Sequence, residues 1–509
     1  MCTDFSINAL TFDSDKQISI IGRSMELGPY LKSELFFRGE GYSYKQISAQ
    51  LLEPLSKDTD IKQHIIRHDI KKITPNLLSW TGKYNFIAFN GFATEMTSTL
   101  LKATKKQDIR EKEKQLIEQN ISEEQKQLIE QSISEEQRSY LDDLLSSVAT
   151  NGMNDQGLTT GTMVLSQSEY QNPFENNKPI PTKGVIFYLS ITTWILSNCA
   201  SCQDVIDGLQ YSSLTINPDG SPFLSESQID NKDKILVANL FESSSVPGFM
   251  KVHFPVHDSK GNSIVLEYVK GQLHITDLNP IGTLTNDPLI GWHQENMLNN
   301  YTNVVPFNVQ NNDGEPDTPS VAAYKKAASK FQCSTRAQGT GFSGLPGSST
   351  PVDRFVRAAA MSNFAFPVFQ LLNQNEIDEA NQFRGNLQEY AKMYKDSLPI
   401  EADIAVGKAD ATTLAFHILN TVDIPQGTSR DSQGVSVHDY TQWSTVSDLS
   451  NLIFSVRMYE SPQVFEFDLK NLNFKGLESC LYKLDENIKS LNLTDDVNKH
   501  AQSTQPDAV

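Results

Sequence analysis

Hydrophobic and polar residues alternate from the start of the chain: Phe5, Ile7 and Ala9 share one side and Asp4, Ser6 and Asn8 the other. That is the period-2 pattern of a half-buried strand. Asp13-Ser-Asp-Lys16 reads as a turn, Ile18, Ile20 and Ile21 as a second strand ending at Gly22-Arg23, and Leu35, Phe36 and Phe37 as a third. Residues 184–209 are apolar enough for a core helix, with Trp194 inside it. Alternation returns as a meander over 252–256, 263–269 and 273–276, with turns at Lys260-Gly-Asn262 and Lys270-Gly271. After polar stretches at 308–330 and 373–410, a helix is expected over 411–420 and strands over 452–456 and 464–467. Strands, then helices, then strands predict α+β layers and not βαβ winding.

The pattern is interrupted between 102 and 145, where Gln115-Leu-Ile-Glu-Gln-Asn-Ile-Ser-Glu-Glu-Gln125 recurs as Gln127-Leu-Ile-Glu-Gln-Ser-Ile-Ser-Glu-Glu-Gln137. Good helix formers and two capping-box spacings, Ser122 to Gln125 and Ser134 to Gln137, predict short helices. Leu116 and Leu128 drift by about 120° around a helix, unlike a heptad seam. The segment therefore reads as a charged helical insertion, solvated or serving as a partner-binding arm. It divides a single domain, 2–101 and 146–485, which is followed by a polar tail at 486–509.

Composition narrows the function classes. The chain has 509 residues, a net charge of −19 and 38% hydrophobic residues. It contains no run of about 18 apolar residues, so no membrane span is expected. An acidic surface repels phosphate, and no Lys/Arg stripe with aromatics offsets it, so nucleic acid is not an expected partner. Five cysteines, an odd number, do not describe a disulfide framework. Cys199-Ala-Ser-Cys202 has metal or redox spacing, but with no second pair beside it these read as buried thiols, and no metal site is expected. Met1-Cys-Thr-Asp4 opens without the basic and apolar regions of a secretory signal, so a cytoplasmic location is expected.

Cys2 is the pivotal candidate. Removal of Met1 would leave a thiol beside a free α-amine, whose ordinary pKa of about 7.7–8.0 lies well below that of lysine. One residue can then act as nucleophile and base. The histidines compete poorly: His64 and His68 lack a zincin's Glu and third ligand, and His417 reads as a packed helix residue. No Gly-x-Ser-x-Gly elbow occurs, and Gly339-x-Gly341-x-x-Gly344 lacks a strand–helix dinucleotide unit around it.

Several blocks stand in one order: Met1-Cys-Thr-Asp-Phe5, Ile21-Gly-Arg-Ser-Met-Glu26, Asn151-Gly-Met-Asn-Asp-Gln-Gly-Leu158, Gly282-Thr-Leu-Thr-Asn-Asp-Pro288 with Trp292-His293, Gly339 to Gly347, and Thr350-Pro-Val-Asp-Arg354. Phe416 to Asn420, Gln426 to Arg430 and Tyr440-Thr-Gln-Trp443 follow. Together they resemble the choloylglycine hydrolase family of bile salt hydrolases and penicillin V acylases. The resemblance implies an α+β fold, a four-layer αββα N-terminal nucleophile hydrolase sandwich carrying the helical insertion. It implies a cofactor-free hydrolase of linear amides, in which Cys2 attacks the carbonyl and is acylated before water frees the acid.

Residue by residue, the resemblance implies that Arg23 sits near the thiol and that Glu26 takes the place where bile salt hydrolases have Asp beside the α-amine. Asn286 would donate its side-chain amide to the oxyanion, although Asn before Asp-Pro is also a good turn former. Val164, having no side-chain donor, would supply its backbone N–H. Arg354 would be the remaining active-site arginine, with Arg357 a structural ion pair one turn on. Met25 and Leu27 would line the acyl cleft. Conjugated bile salts, phenoxyacetyl penicillin, N-acyl homoserine lactones and fatty acyl amides all remain open as substrates. Acyl transfer by the same Cys2, a homo-oligomer, and an interaction protein working through 102–145 are the other readings.

Overall fold

The computed structural model describes residues 2–10, 17–28, 30–31, 33–44, 76–93, 147–216, 224–239, 250–279, 281–301, 345–364, 408–430, 439–477 and 481–484. The Asp13–Lys16 turn, the 102–145 insertion, the polar stretches 308–330 and 373–407, His64, His68 and the 486–509 tail lie outside them.

Strand Cys2–Leu10 pairs antiparallel with Gln17–Leu27 on one side and with Thr283–Leu284 on the other. Tyr440–Asp448, Ile453–Met458 and Val464–Asp468 extend this into a six-stranded sheet. A second, ten-stranded sheet contains the predicted meander, Val252–Asp258, Ser263–Val269 and Gln272–Asp277, beside Leu158–Gly161, Asn151–Asn154, Phe86–Phe89 and Leu35–Arg38. Between the sheets lies the main core, which includes Cys2, Met25, Phe89, Met153, Phe254 and Trp443. Trp443 stacks on Phe89 with ring centroids 4.8 Å apart.

Helices close both outer faces. Pro351–Phe364 and Lys408–Val422 cover the first sheet, where Ala358, Ala415, Leu419 and Val422 pack on Phe5, Ile7, Ile20 and Val446. Ile191–Asn198 and Cys202–Gly208 cover the second. The order helix, sheet, sheet, helix is the expected αββα sandwich.

That layering accounts for the departures from the local pattern. Asp4 and Ser6 are buried as well as Phe5 and Ile7, so the first strand is not half-buried. Its polar side faces the second sheet and not water. The second strand does not stop at Gly22-Arg23 but continues to Leu27. Gly22 is a packing residue there, because a Cβ would stand 2.3 Å from the edge of the Phe5 ring on the paired strand. The apolar run at 184–209 is not one helix. It is strand Gly184–Phe187, a 3-10 turn and two short helices separated at Cys199, where the Ser201–Asp204 capping box starts a new helix. Strand Tyr440–Asp448 was not predicted; its Thr, Gln and Ser read as polar, yet all nine positions are buried. The 411–420 helix runs longer, from Lys408 to Val422, and His417 is exposed because the packed stripe runs through Ala411, Ala415, Ile418 and Val422.

Candidate active site

The antiparallel register sets Cys2 opposite Met25 and Asp4 opposite Arg23, while Trp443 and Thr445 face those partners from the next strand. Cys2 is fully buried, with Sγ 3.4 Å from Met25 Sδ and 3.9 Å from the Thr162 carbonyl oxygen. Leu27 lies further along the strand within the same core.

Both backbone ends of Cys2 are held. Its N–H donates to Asn286 Oδ1 at 2.6 Å, and its carbonyl accepts from Arg354 Nη1 at 2.8 Å. Arg354 Nη2 then donates to the same Asn286 oxygen at 2.9 Å, closing a ring of three residues. Arg354 begins this approach in the first turn of helix Pro351–Phe364, whose Pro351 suits a position where the N–H has no helical partner. A buried guanidinium is costly unless its donors are used. Arg354 uses them on Cys2, Asn286, Thr3 Oγ1 and the Ser349 carbonyl, with Glu26 Oε2 3.7 Å away. Burial still pulls its pKa down, opposed chiefly by Glu26.

Glu26 is fully buried and accepts from Thr441 Oγ1 at 3.3 Å. Burial pushes its carboxyl up, with Arg354 opposing. Arg23 reaches the other side of the thiol's surroundings: Nη2 donates to the Thr162 carbonyl and Nη1 lies 3.5 Å from Asp4. Gly161 leaves room for it, since a Cβ there would stand 2.6 Å from the guanidinium carbon. Burial raises the Cys2 thiol pKa; the positive amino terminus and Arg23 pull it back, and Glu26 pushes it further up.

Asn286 sits in a turn between strand Thr283–Leu284 and helix Ile290–Asn300, and its Nδ2 donates to the Val164 carbonyl at 2.8 Å. Val164 thus stands beside Asn286, meeting it through its carbonyl. His293 Nε2 donates to the Asn286 carbonyl at 3.0 Å, with its ring stacked on Phe355. Burial lowers the His293 pKa, which suits a neutral ring donating from Nε2. Arg357 does not lie in this cluster. It clasps the carbonyls of Thr421, Pro346 and Ser348, where an ion pair was expected.

Cys2, Arg23, Glu26, Asn286 and Arg354 therefore share one buried cluster. Sequence reasoning did not single out Thr162, Asp4, His253 or His257. Asp4 joins Arg23 to His257 Nε2, 2.6 Å away, whose Nδ1 meets Ser263 at 2.8 Å. His253 and His257 lie four residues apart in a strand and so point to one face, a polar stripe visible in Val252-His-Phe-Pro-Val-His257. Cys199 and Cys202 are buried, unbridged thiols. Among the described residues, no group of three or more His, Cys, Asp and Glu side chains could hold a metal.

Comparison with known proteins places this fold in a family. The model for linear amide C–N hydrolases of the choloylglycine hydrolase family matches residues 143–370 and 402–482. The chain is 26% identical to a bile salt hydrolase/transferase of Clostridium perfringens over 338 residues, covering 66% of this chain and 78% of that protein. It is 24% identical to a penicillin V acylase of Pectobacterium atrosepticum, covering 66% of each. Among solved structures, the mutant C2A conjugated bile acid hydrolase from Clostridium perfringens superposes with a TM-score of 0.53 at 20% identity, over 97% of this chain and 100% of that one.

Proposed function

Since the chain belongs to the choloylglycine hydrolase family of linear amide C–N hydrolases, we propose that its nucleophile is Cys2, exposed at the amino terminus by removal of Met1. The observation that carries this reading is the ring of Cys2, Asn286 and Arg354, which holds the nitrogen and carbonyl of the very residue whose thiol lies beside Thr162 and Met25. The freed α-amine takes the thiol proton as Sγ attacks the amide carbonyl, and returns it to the leaving amine. A thioester remains, and water, deprotonated by the same amine, releases the acid. Asn286 Nδ2 spends one N–H on Val164 and offers the second to the oxyanion, and the Val164 backbone N–H is the second donor. Arg23 favours the thiolate and Glu26 balances Arg354.

The substrate is an N-acyl amide whose acyl group meets Met25 and Leu27. The related bile salt hydrolase/transferase and penicillin V acylase nominate the probes: glycocholate and phenoxymethylpenicillin, beside an N-acyl homoserine lactone and a fatty acyl amide. The purified active protein should begin at Cys2 by intact mass, and Cys2→Ala should lose turnover while keeping its circular dichroism. Met1 still attached to active protein, or turnover by Cys2→Ala, would refute the reading. Because one relative is named hydrolase/transferase, transfer to an added amine is the second reading, decided by whether N-acylated amine forms. Homo-oligomeric assembly and a cytoplasmic location belong to the same proposal and are read by light scattering and cell fractionation. Among the described residues no helix is long and apolar enough to cross a membrane.

A further inference from the structure

We infer that His253 and Glu267 form a positioning pair that aims Asn286 at the reacting carbonyl, a role resting on the function proposed above. The turn that carries Asn286 is gripped at both ends by this pair. His253 Nε2 donates to the Thr285 carbonyl at 2.9 Å, immediately before Asn286. Its Nδ1 lies 3.2 Å from Glu267 Oε1, and the same oxygen accepts the backbone N–H of Ile290 at 3.0 Å, where the next helix begins. Both side chains are buried, His253 completely.

They stand on adjacent antiparallel strands, Val252–Asp258 and Ser263–Val269, in the interior of the larger sheet. Groups supported by strands hold their geometry more tightly than groups supported by loops alone. Strand Val252–Asp258 also pairs with Met163–Val164, setting Val252 opposite Val164 and His253 opposite Met163. One strand therefore locates both proposed oxyanion donors, Asn286 through His253 and Thr285, and Val164 through the sheet. His293 holds the Asn286 carbonyl itself. The histidine is a spacer between two acceptors, and Glu267 fixes its ring.

The test is steady-state turnover of whichever of glycocholate, phenoxymethylpenicillin, N-acyl homoserine lactone and fatty acyl amide the full chain cleaves fastest, beside the rate of Cys2 alkylation by iodoacetamide. Alkylation displaces iodide and develops no oxyanion. His253→Phe should lower kcat by about 10- to 100-fold, below the 10²–10³ typical of deleting an oxyanion donor outright. KM and the alkylation rate should stay near those of the unaltered chain. His253→Gln, which keeps a donor, should recover part of the loss, and Glu267→Gln should fall between. Should His253→Phe fail to fold, the pair His253→Gln and Glu267→Gln is read against the same two rates. Full kcat in these variants, or alkylation slowed in step with kcat, overturns the inference. Turnover by Cys2→Ala is a different result, overturning the proposed function and this inference with it.

Discussion

Two regions of the molecule bury cysteine thiols, and their surroundings push in opposite directions. At Cys2 burial raises the thiol pKa, and positive charge that includes Arg23 pulls it back. At Cys199 and Cys202 burial raises the pKa much further, and Asp204 and Asp258, respectively, are the next contributors in the same direction. The Cys202 backbone N–H donates to Asp258 at 3.0 Å, and its Sγ faces the carbonyls of Val256 and Asn262. Burial alone makes a thiol inert; neighbouring positive charge makes one usable. The pair with the more suggestive spacing is the structural one.

The strongest way to break this contrast is to exchange the thiols' roles by deletion. Cys2→Ala should reduce turnover by at least about 10³-fold, as losing a covalent nucleophile does, whereas Cys199→Ala and Cys202→Ala should turn over substrate like the unaltered chain. Next in size, Asn286→Ala should cost about 10²- to 10³-fold in kcat, yet Cys2 should still be alkylated by iodoacetamide, separating thiol reactivity from oxyanion binding. Smaller is the effect of Arg23→Met. Removing a positive charge that lowers the Cys2 pKa moves it up, so the rise of alkylation with pH should shift to higher pH without vanishing. Smallest, Cys202→Ala should lower stability by roughly 1 kcal/mol, the loss of a small buried group, read as a shift in the denaturant midpoint.

Much of the candidate site was legible in the sequence. Cys2 stood out by residue type and position, and Arg23, Glu26, Asn286 and Arg354 through ordered motifs that resemble the choloylglycine hydrolase family. The contribution of Asp4, His253 and His257 was not legible, because a strand's polar face looks alike whether it meets water or a second sheet. The same ambiguity hid strand Tyr440–Asp448, buried on both faces despite its polar residues, and made Gly22 look like a stop.

Residue identity and local periodicity, both written in the chain, determined the meander at 252–277, the layered α+β class and the chemistry available at Cys2. Tertiary structure alone decided that Asn286 and Arg354, 284 and 352 residues away along the chain, close on Cys2. It also decided which buried thiol stands beside cations and which beside carboxylates. Periodicity reports which side of a strand is apolar. What covers that side, and which charges are shut in with it, depends on elements brought together only by folding.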